Sequence, residues 1–164
     1  MRIVITGALG FIGSHFAKYL FNLDDDIKIL VIDNCTYAAN KNNLKGVTYE
    51  HLHRDICDVT AEDLGEYDYL VNFAAESHVD NSIKDGRPFV RTNVEGTFNL
   101  LEVARQNPNL KKFVQISTDE VYGDMDDLGP GVLADEEFSI IGSSYYSSTK
   151  ASADLLVQAA GRTY

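Results

Sequence analysis

Arg2-Ile3-Val4-Ile5-Thr6-Gly7-Ala8-Leu9-Gly10-Phe11-Ile12-Gly13 is the stretch whose reading decides the fold. Arg2 to Ile5 is apolar and β-branched, the pattern of a buried strand. From residue 14 to residue 23 apolar side chains recur at helical spacing, so the three glycines occupy a strand-to-helix turn. Gly7 permits a tight turn, Gly10 lets the backbone come close to a pyrophosphate, and Gly13 lets the helix pack against the strand. The helix start then offers N–H groups and a positive dipole end to phosphates. This context predicts a dinucleotide site.

An acid follows where such a site needs one. Lys28-Ile29-Leu30-Val31-Ile32 reads as a second strand, and Asp33 ends it, twenty residues beyond Gly13. A carboxylate there accepts hydrogen bonds from the adenosine ribose hydroxyls and repels a 2′-phosphate, which points to NAD rather than NADP.

Strand-like and helix-like stretches alternate over the rest of the chain. Strands are expected at 47–51, 69–73 and 112–116. Thr60, with Asp63 three positions on, predicts a short capped helix to residue 66. Pro88 fits the first turn of a long helix to about residue 106. An acidic loop over 124–140 containing Gly129-Pro130-Gly131 precedes a last helix over 144–160. The expected fold is α/β, a doubly wound parallel sheet with right-handed crossovers, one Rossmann domain over 1–164. Ligands in such sheets sit at the C-terminal strand edge. The polar clusters at 7–13, Asp33, Asp55, 74–78 and 117–120 all fall on that edge.

The 164 residues suffice for a substantial core. Fourteen Lys and Arg against 25 Asp and Glu give a net charge of −11, which excludes a general nucleic-acid binder and attraction to an anionic membrane. There is no apolar run of about 18 residues to span a bilayer. The N-terminus enters a strand directly, without a signal-peptide pattern. Cys35 and Cys57 are isolated and lack metal-ligand spacing, so no metal site and a reducing, cytoplasmic setting are expected.

Two clusters carry chemistry. Tyr146 and Lys150, four residues apart, share a helix face. A nearby ammonium favours phenolate, so Lys150 is expected to lower the pKa of Tyr146 and make it a base for a substrate hydroxyl. Asp119 and Glu120 are adjacent carboxyls at a strand end. In a closed pocket one would hold a proton while the other stayed ionised. His78, near the same rim, is assigned no catalytic role.

TGALGFIG, Asp33, NFAAESHVD, RTNVEGTFNLLEVAR, STDEVYG and YSSTKASAD together resemble the extended short-chain dehydrogenases/reductases, and within them the nucleotide-sugar 4,6-dehydratases of the dTDP-glucose 4,6-dehydratase type. The resemblance covers nearly the whole chain. STDEVYG and AAESHVD are much more specific to the dehydratases than TGxxGFIG or YxxxK. It implies that Gly7, Gly10, Phe11, Ile12 and Gly13 cover the cofactor, that Asp33, Asn34, Cys35 and Thr36 hold its adenosine side, and that Asp55 and Ile56 flank adenine. Phe73, Ala74, Ala75 and Ser77 would line the cofactor and sugar pocket, and Thr92 would touch the cofactor again. Thr118 would hold the sugar and polarise its carbon-4 oxygen. Asp119 would be the acid, Glu120 the base, Tyr146 the redox base and Lys150 the ribose anchor.

The implied reaction is oxidation of carbon 4 by NAD, loss of water across carbons 5 and 6, and hydride return to carbon 6. The implied substrate is dTDP- or UDP-glucose, with a homodimer as the full-length form. The family's chains are roughly double this length, so the C-terminal substrate domain is expected to be absent and the lone chain inactive. Tyr145 stands where the family usually has proline. A 4-epimerase of the same superfamily, and a non-catalytic truncated NAD-binding module, are the alternatives. Asp119 and Glu120 count against epimerisation, which needs no acid–base pair at carbons 5 and 6.

Overall fold

The computed structural model describes residues 1–124 and 131–164, so part of the predicted acidic loop, including Gly129 and Pro130, lies outside the described residues. Five strands, β1 (Arg2–Thr6), β2 (Lys28–Asp33), β3 (Glu50–His53), β4 (Tyr69–Asn72) and β5 (Lys112–Gln115), form one parallel sheet in the order β3-β2-β1-β4-β5. The chain builds outward from β1 through β2 to β3, then returns to the other side of β1 for β4 and β5. The sheet is therefore doubly wound, with its switch point between β1 and β4, where the glycine turn sits.

Both faces of the sheet are covered, and strand alternation shows how. Ile3, Ile5, Ile29 and Val31 point to one face, with Ala17 and Leu20 of α1 (Phe11–Leu23). Val4, Leu30, Ile32 and Leu70 point to the other, with Leu100 and Val103 of α5 (Thr97–Ala104). Each such Ile or Leu, buried fully, contributes about 1.5–3 kcal/mol of transfer free energy. The continuous apolar runs of β1 and β2 follow from burial on both faces.

A buried polar network ties the C-terminal strand ends together. Thr6 Oγ1 donates to Asn72 Oδ1, Asn72 Nδ2 donates to Gln115 Oε1 at 2.8 Å, and the Ala74 N–H donates to Thr6 Oγ1 at 3.2 Å. Hydrogen-bonded on all these sides, Asn72 fixes β1, β4 and β5 in register beneath the rim.

Several elements differ from the sequence reading. The first helix begins at Phe11 rather than residue 14, because Gly10 is its N-cap. The third strand is Glu50–His53, not 47–51. Its register is set by pairing with Leu30 to Asp33, and Val47 packs on the core before the strand begins. The capping box of Thr60 and Asp63 is present, but α2 (Ala61–Leu64) stops where Gly65 takes φ 58°. The helix opened by Pro88 is one run in three parts: α4 (Arg87–Phe89), a π-helical stretch Val90–Gly96, and α5. It follows α3 (Val79–Lys84), which carried no clear signal. The last helix is α6 (Tyr145–Thr163), capped by Ser144 in a reciprocal box with Ser147.

Candidate active site

The rim over the β1/β4 switch point holds a cleft with two walls. One wall is the start of α1 and the segment after β2. The other is the segments after β3 and β4, the π-helical stretch, and α6. Gly7, Gly10, Phe11, Ile12, Gly13, Asp33, Asn34, Thr36, Asp55, Ile56, Phe73, Ala74, Ala75, Ser77, Thr92, Tyr146 and Lys150 all line it.

Two glycines are obligatory for the turn. Gly7 has φ 67°, and a Cβ there would stand 2.7 Å from the Ala74 nitrogen. A Cβ at Gly13 would stand 2.6 Å from the Gly7 carbonyl oxygen. The glycine turn is thus pressed between its own helix and the exit of β4. Gly10 brings no side chain to cap α1, so the first-turn N–H groups are open to an anion. Phe11 and Ile12, 77% and 63% exposed, offer bare apolar surface on the cleft rim.

Asp33 is buried and held from two sides: the Leu9 N–H donates to Oδ2 at 3.0 Å and the Cys35 N–H to Oδ1 at 2.8 Å. Each oxygen keeps a lone pair for a ribose hydroxyl. Cys35 departs from expectation. Its backbone is left-handed at φ 54°, and its side chain packs on the core instead of lining the cleft. The turn closed by Asp33 is what rotates it away. Asp55 caps the single turn Ile56–Asp58, and Arg91 Nη2 donates to it at 3.3 Å. Burial opposes its ionisation, but Cys57 and Arg91 outweigh burial and hold the carboxyl below its usual pKa.

At the far end α6 presents Tyr146, Lys150 and Asp154 at four-residue intervals. The expected lowering of the Tyr146 pKa is not found. Burial raises it, Thr118 partly offsets that by a hydrogen bond, and the charges of Glu120 and Asp119 raise it further. The reason is where the ammonium goes. Lys150, 3% exposed, donates through Nζ to the Ile116 carbonyl, and burial lowers its own pKa while Asp154 opposes the drop. Thr118 caps the turn Asp119–Tyr122, accepting from the Glu120 N–H at 3.4 Å. Thr118, Asp119 and Glu120 do not line the cleft but lie just beyond Ser117, which does, and Tyr146 feels all three. His78 is the N-cap residue of α3.

Two positioning residues escaped the sequence reading. Asn93, 1% exposed in the π-helical stretch, accepts from the Glu76 N–H at 2.9 Å and donates to the Glu76 carbonyl at 3.0 Å and to Thr149 Oγ1 at 3.0 Å. It clamps the wall after β4 to α6. Asp154 accepts from Ser117 Oγ and pins the segment that leads to Thr118. An amide on the buried face of an apolar helix, and an acid one turn beyond Lys150, were the available signals. Tyr145, in the family's proline position, lies over Gly86, where a Cβ would come within 3.0 Å of its ring.

Among known proteins the chain is 43% identical over 170 residues to the low-salt glycan biosynthesis protein Agl12 of Haloferax volcanii, covering 100% of this chain and 53% of that one. It is 40% identical over 168 residues to dTDP-glucose 4,6-dehydratase of Mycobacterium tuberculosis, covering 100% of this chain and 50% of that one. The structure of the dTDP-glucose 4,6-dehydratase DesIV from Streptomyces venezuelae, solved with NAD bound, superposes at a TM-score of 0.89 and 38% identity, over 100% of this chain and 52% of that one. Structures of 4-epimerases also align, at 29% identity and TM-score 0.89 for the UDP-glucuronic acid 4-epimerase of Bacillus cereus, over 100% of this chain and 53% of that one. The chain therefore spans about half the length of the relatives it matches. With residues 4–164 matched by the profile of the GDP-mannose 4,6 dehydratases, and this doubly wound sheet and cleft beneath the match, the chain belongs to that family.

Proposed function

We propose that residues 1–164 form the NAD-binding domain of a nucleotide-sugar 4,6-dehydratase acting on dTDP- or UDP-glucose, the nucleotide half of the substrate being gripped outside these residues. The observation that carries this reading is that Thr118, Asp119 and Glu120 follow directly on Ser117, a lining residue of the cleft, and act on Tyr146 at its far end. A 4-epimerase would use Tyr146 alone, with no work for the carboxyl pair.

The lining suits NAD. At Gly10 a Cβ would meet only the Gly7 oxygen, at 3.2 Å, so its absence leaves a cradle beside the open N–H groups of α1 for the diphosphate. Asp33, Asn34 and Thr36 suit the adenosine ribose, with Cys35 contributing only backbone, and Asp55 and Ile56 suit adenine. Phe73, Ala74, Ala75, Ser77 and Thr92 line the middle, and Tyr146 and Lys150 the nicotinamide end. When bound, NAD supplies a hydride acceptor for carbon 4 of the sugar and a hydride donor for carbon 6.

The side chains handle the protons. Tyr146 receives the proton of the carbon-4 hydroxyl, and Thr118, hydrogen-bonded to it, holds that oxygen while Ser77 supports the sugar. Burial and the charges of Glu120 and Asp119 raise the phenol's pKa, and a positive charge brought beside it would lower it. Glu120 removes the carbon-5 proton, and Asp119 protonates the departing carbon-6 hydroxyl.

Among the described residues no helix is long and apolar enough to cross a membrane. With a charge of −11, neither nucleic acid nor membrane is a proposed partner, and the setting proposed is the cytoplasm. Exposed Phe98 on α5 and Leu155 on α6 support a homodimer of the full-length protein.

Assays for a 4-keto-6-deoxy sugar on the purified chain, and on the chain continued by a relative's C-terminal half, test the reading. The chain alone should show negligible turnover, because remote binding energy orients the reacting carbons. The continued chain should form the keto sugar. Turnover by the chain alone at about 1 per second or more, or a 4-epimer as the product of the continued chain, would overturn it.

A further inference from the structure

Tyr37 and Glu76 stand on opposite walls of the cleft. Tyr37 belongs to the segment after β2, which lines the cleft through Thr36 and Ala38 on either side of it, and Glu76 lies on the wall after β4. The phenol donates to Glu76 Oε2 at 3.0 Å. The Tyr37 ring lies 6.0 Å from that of His78, and the Asn81 side chain also hydrogen-bonds the phenol. Each of these partners comes from the far wall, 39 or more positions along the chain.

The two abutments are fixed, while the contact between them is not. On the near wall the Asn40 N–H and Asn43 Nδ2 both donate to the Leu9 carbonyl at 2.9 Å, which ties the segment to the glycine turn. On the far wall the backbone of Glu76 is held at both N–H and C=O by buried Asn93. Tyr37 itself is 62% exposed, with no place in the core. Swinging one side chain about χ1 breaks the bridge without moving backbone, and exposed side chains do this in nanoseconds or less. A ligand reaching from Asp33 to Tyr146 would run between the segment that carries Tyr37 and the segment that carries Glu76, both of which line the cleft.

We propose that Tyr37 and Glu76 form a latch across the cofactor cleft, which must open for a dinucleotide to enter or leave. The inference rests on the reading of the cleft as an NAD site. A latch has a kinetic signature that a binding contact lacks. It obstructs arrival and departure equally, so removing it speeds both while the equilibrium stays put. A residue that holds the ligand slows departure alone.

Stopped-flow NADH fluorescence on the 164-residue chain measures the two rate constants separately. Tyr37→Phe keeps the ring and deletes the hydroxyl, and Glu76→Ala deletes the acceptor. Each should raise both the association and the dissociation rate constant about fivefold, the scale of one ordinary lost hydrogen bond. For Tyr37→Phe the dissociation constant should stay within about twofold; Glu76→Ala also removes a negative charge from the cleft wall and is not held to that limit. The double variant should go no further than either single one, because both remove the same bridge. Unchanged rates, or faster dissociation at unchanged association, would overturn the latch while leaving the NAD site standing. Failure of the unaltered chain to bind NADH would overturn both.

Discussion

Gly7→Val should destabilise the chain by about 2–5 kcal/mol and abolish dinucleotide binding. The first part of the cost is backbone strain, since φ 67° places Gly7 in the left-handed region, worth about 1–2 kcal/mol for a residue with a Cβ. The second is overlap: the added carbon would lie 2.7 to 2.9 Å from backbone atoms of Phe73 and Ala74, which cannot swing aside as a side chain would. Overpacking of this kind costs about 1–3 kcal/mol. Gly46→Val is the control. Gly46 has φ 88° but nothing within 4 Å of its Cβ position, so it carries the strain without the overlap. Urea unfolding of the two variants should separate the terms, with Gly7→Val the more damaging. Equal losses would mean that the close approach of the glycine turn to β4 is not a constraint.

Glu120→Gln, made in the chain continued to full length, should leave oxidation at carbon 4 intact and reduce formation of the 4-keto-6-deoxy sugar by about 10²–10⁴-fold, the usual weight of a positioned general base. Tyr146 and Lys150 lie on α6 and serve the first step, while Glu120 sits on the turn capped by Thr118 and serves the second. Single-turnover absorbance should show reduced cofactor persisting. Loss of both steps together would refute the division of labour. Because the charge of Glu120 also raises the Tyr146 pKa, the same substitution should move the pH limb of the oxidation step downward. Removing a negative neighbour makes the phenolate easier to form, so that step should reach its plateau at lower pH than in the unaltered protein.

The parts legible in the sequence were those where one physical demand acts alone. β1 and β2 are buried on both faces and read as unbroken apolar runs, and Gly7 and Asp33 are fixed by backbone geometry at the ends of those strands. β3 was misplaced because it is an edge strand. Its Glu50, His51 and His53 are exposed, and pairing with β2, which no local pattern announces, sets where it starts. The π-helical stretch was invisible for a similar reason: its residues keep a helical apolar pattern, and its packing on the Ile56 turn, where Gly96 admits the Ile56 side chain, is a contact that no local pattern announces. The pKa of Tyr146 was misread because spacing shows which groups share a helix face, not which partner each one takes. Lys150 is four residues from Tyr146, yet its ammonium is spent on the Ile116 carbonyl. Cys35 was assigned to the adenosine side by the family resemblance, whereas after the left-handed turn its side chain packs against the core.

The central claim is that this cleft is built for NAD, with Asp33 choosing against a 2′-phosphate. Calorimetric titration of the 164-residue chain with NAD and with NADP, at one ionic strength, tests it most directly. NAD should bind and NADP should bind more weakly, because a phosphate placed beside the Asp33 carboxylate meets a like charge already fixed by the Leu9 and Cys35 N–H groups. No binding of NAD, or NADP binding as tightly or more tightly, would contradict it.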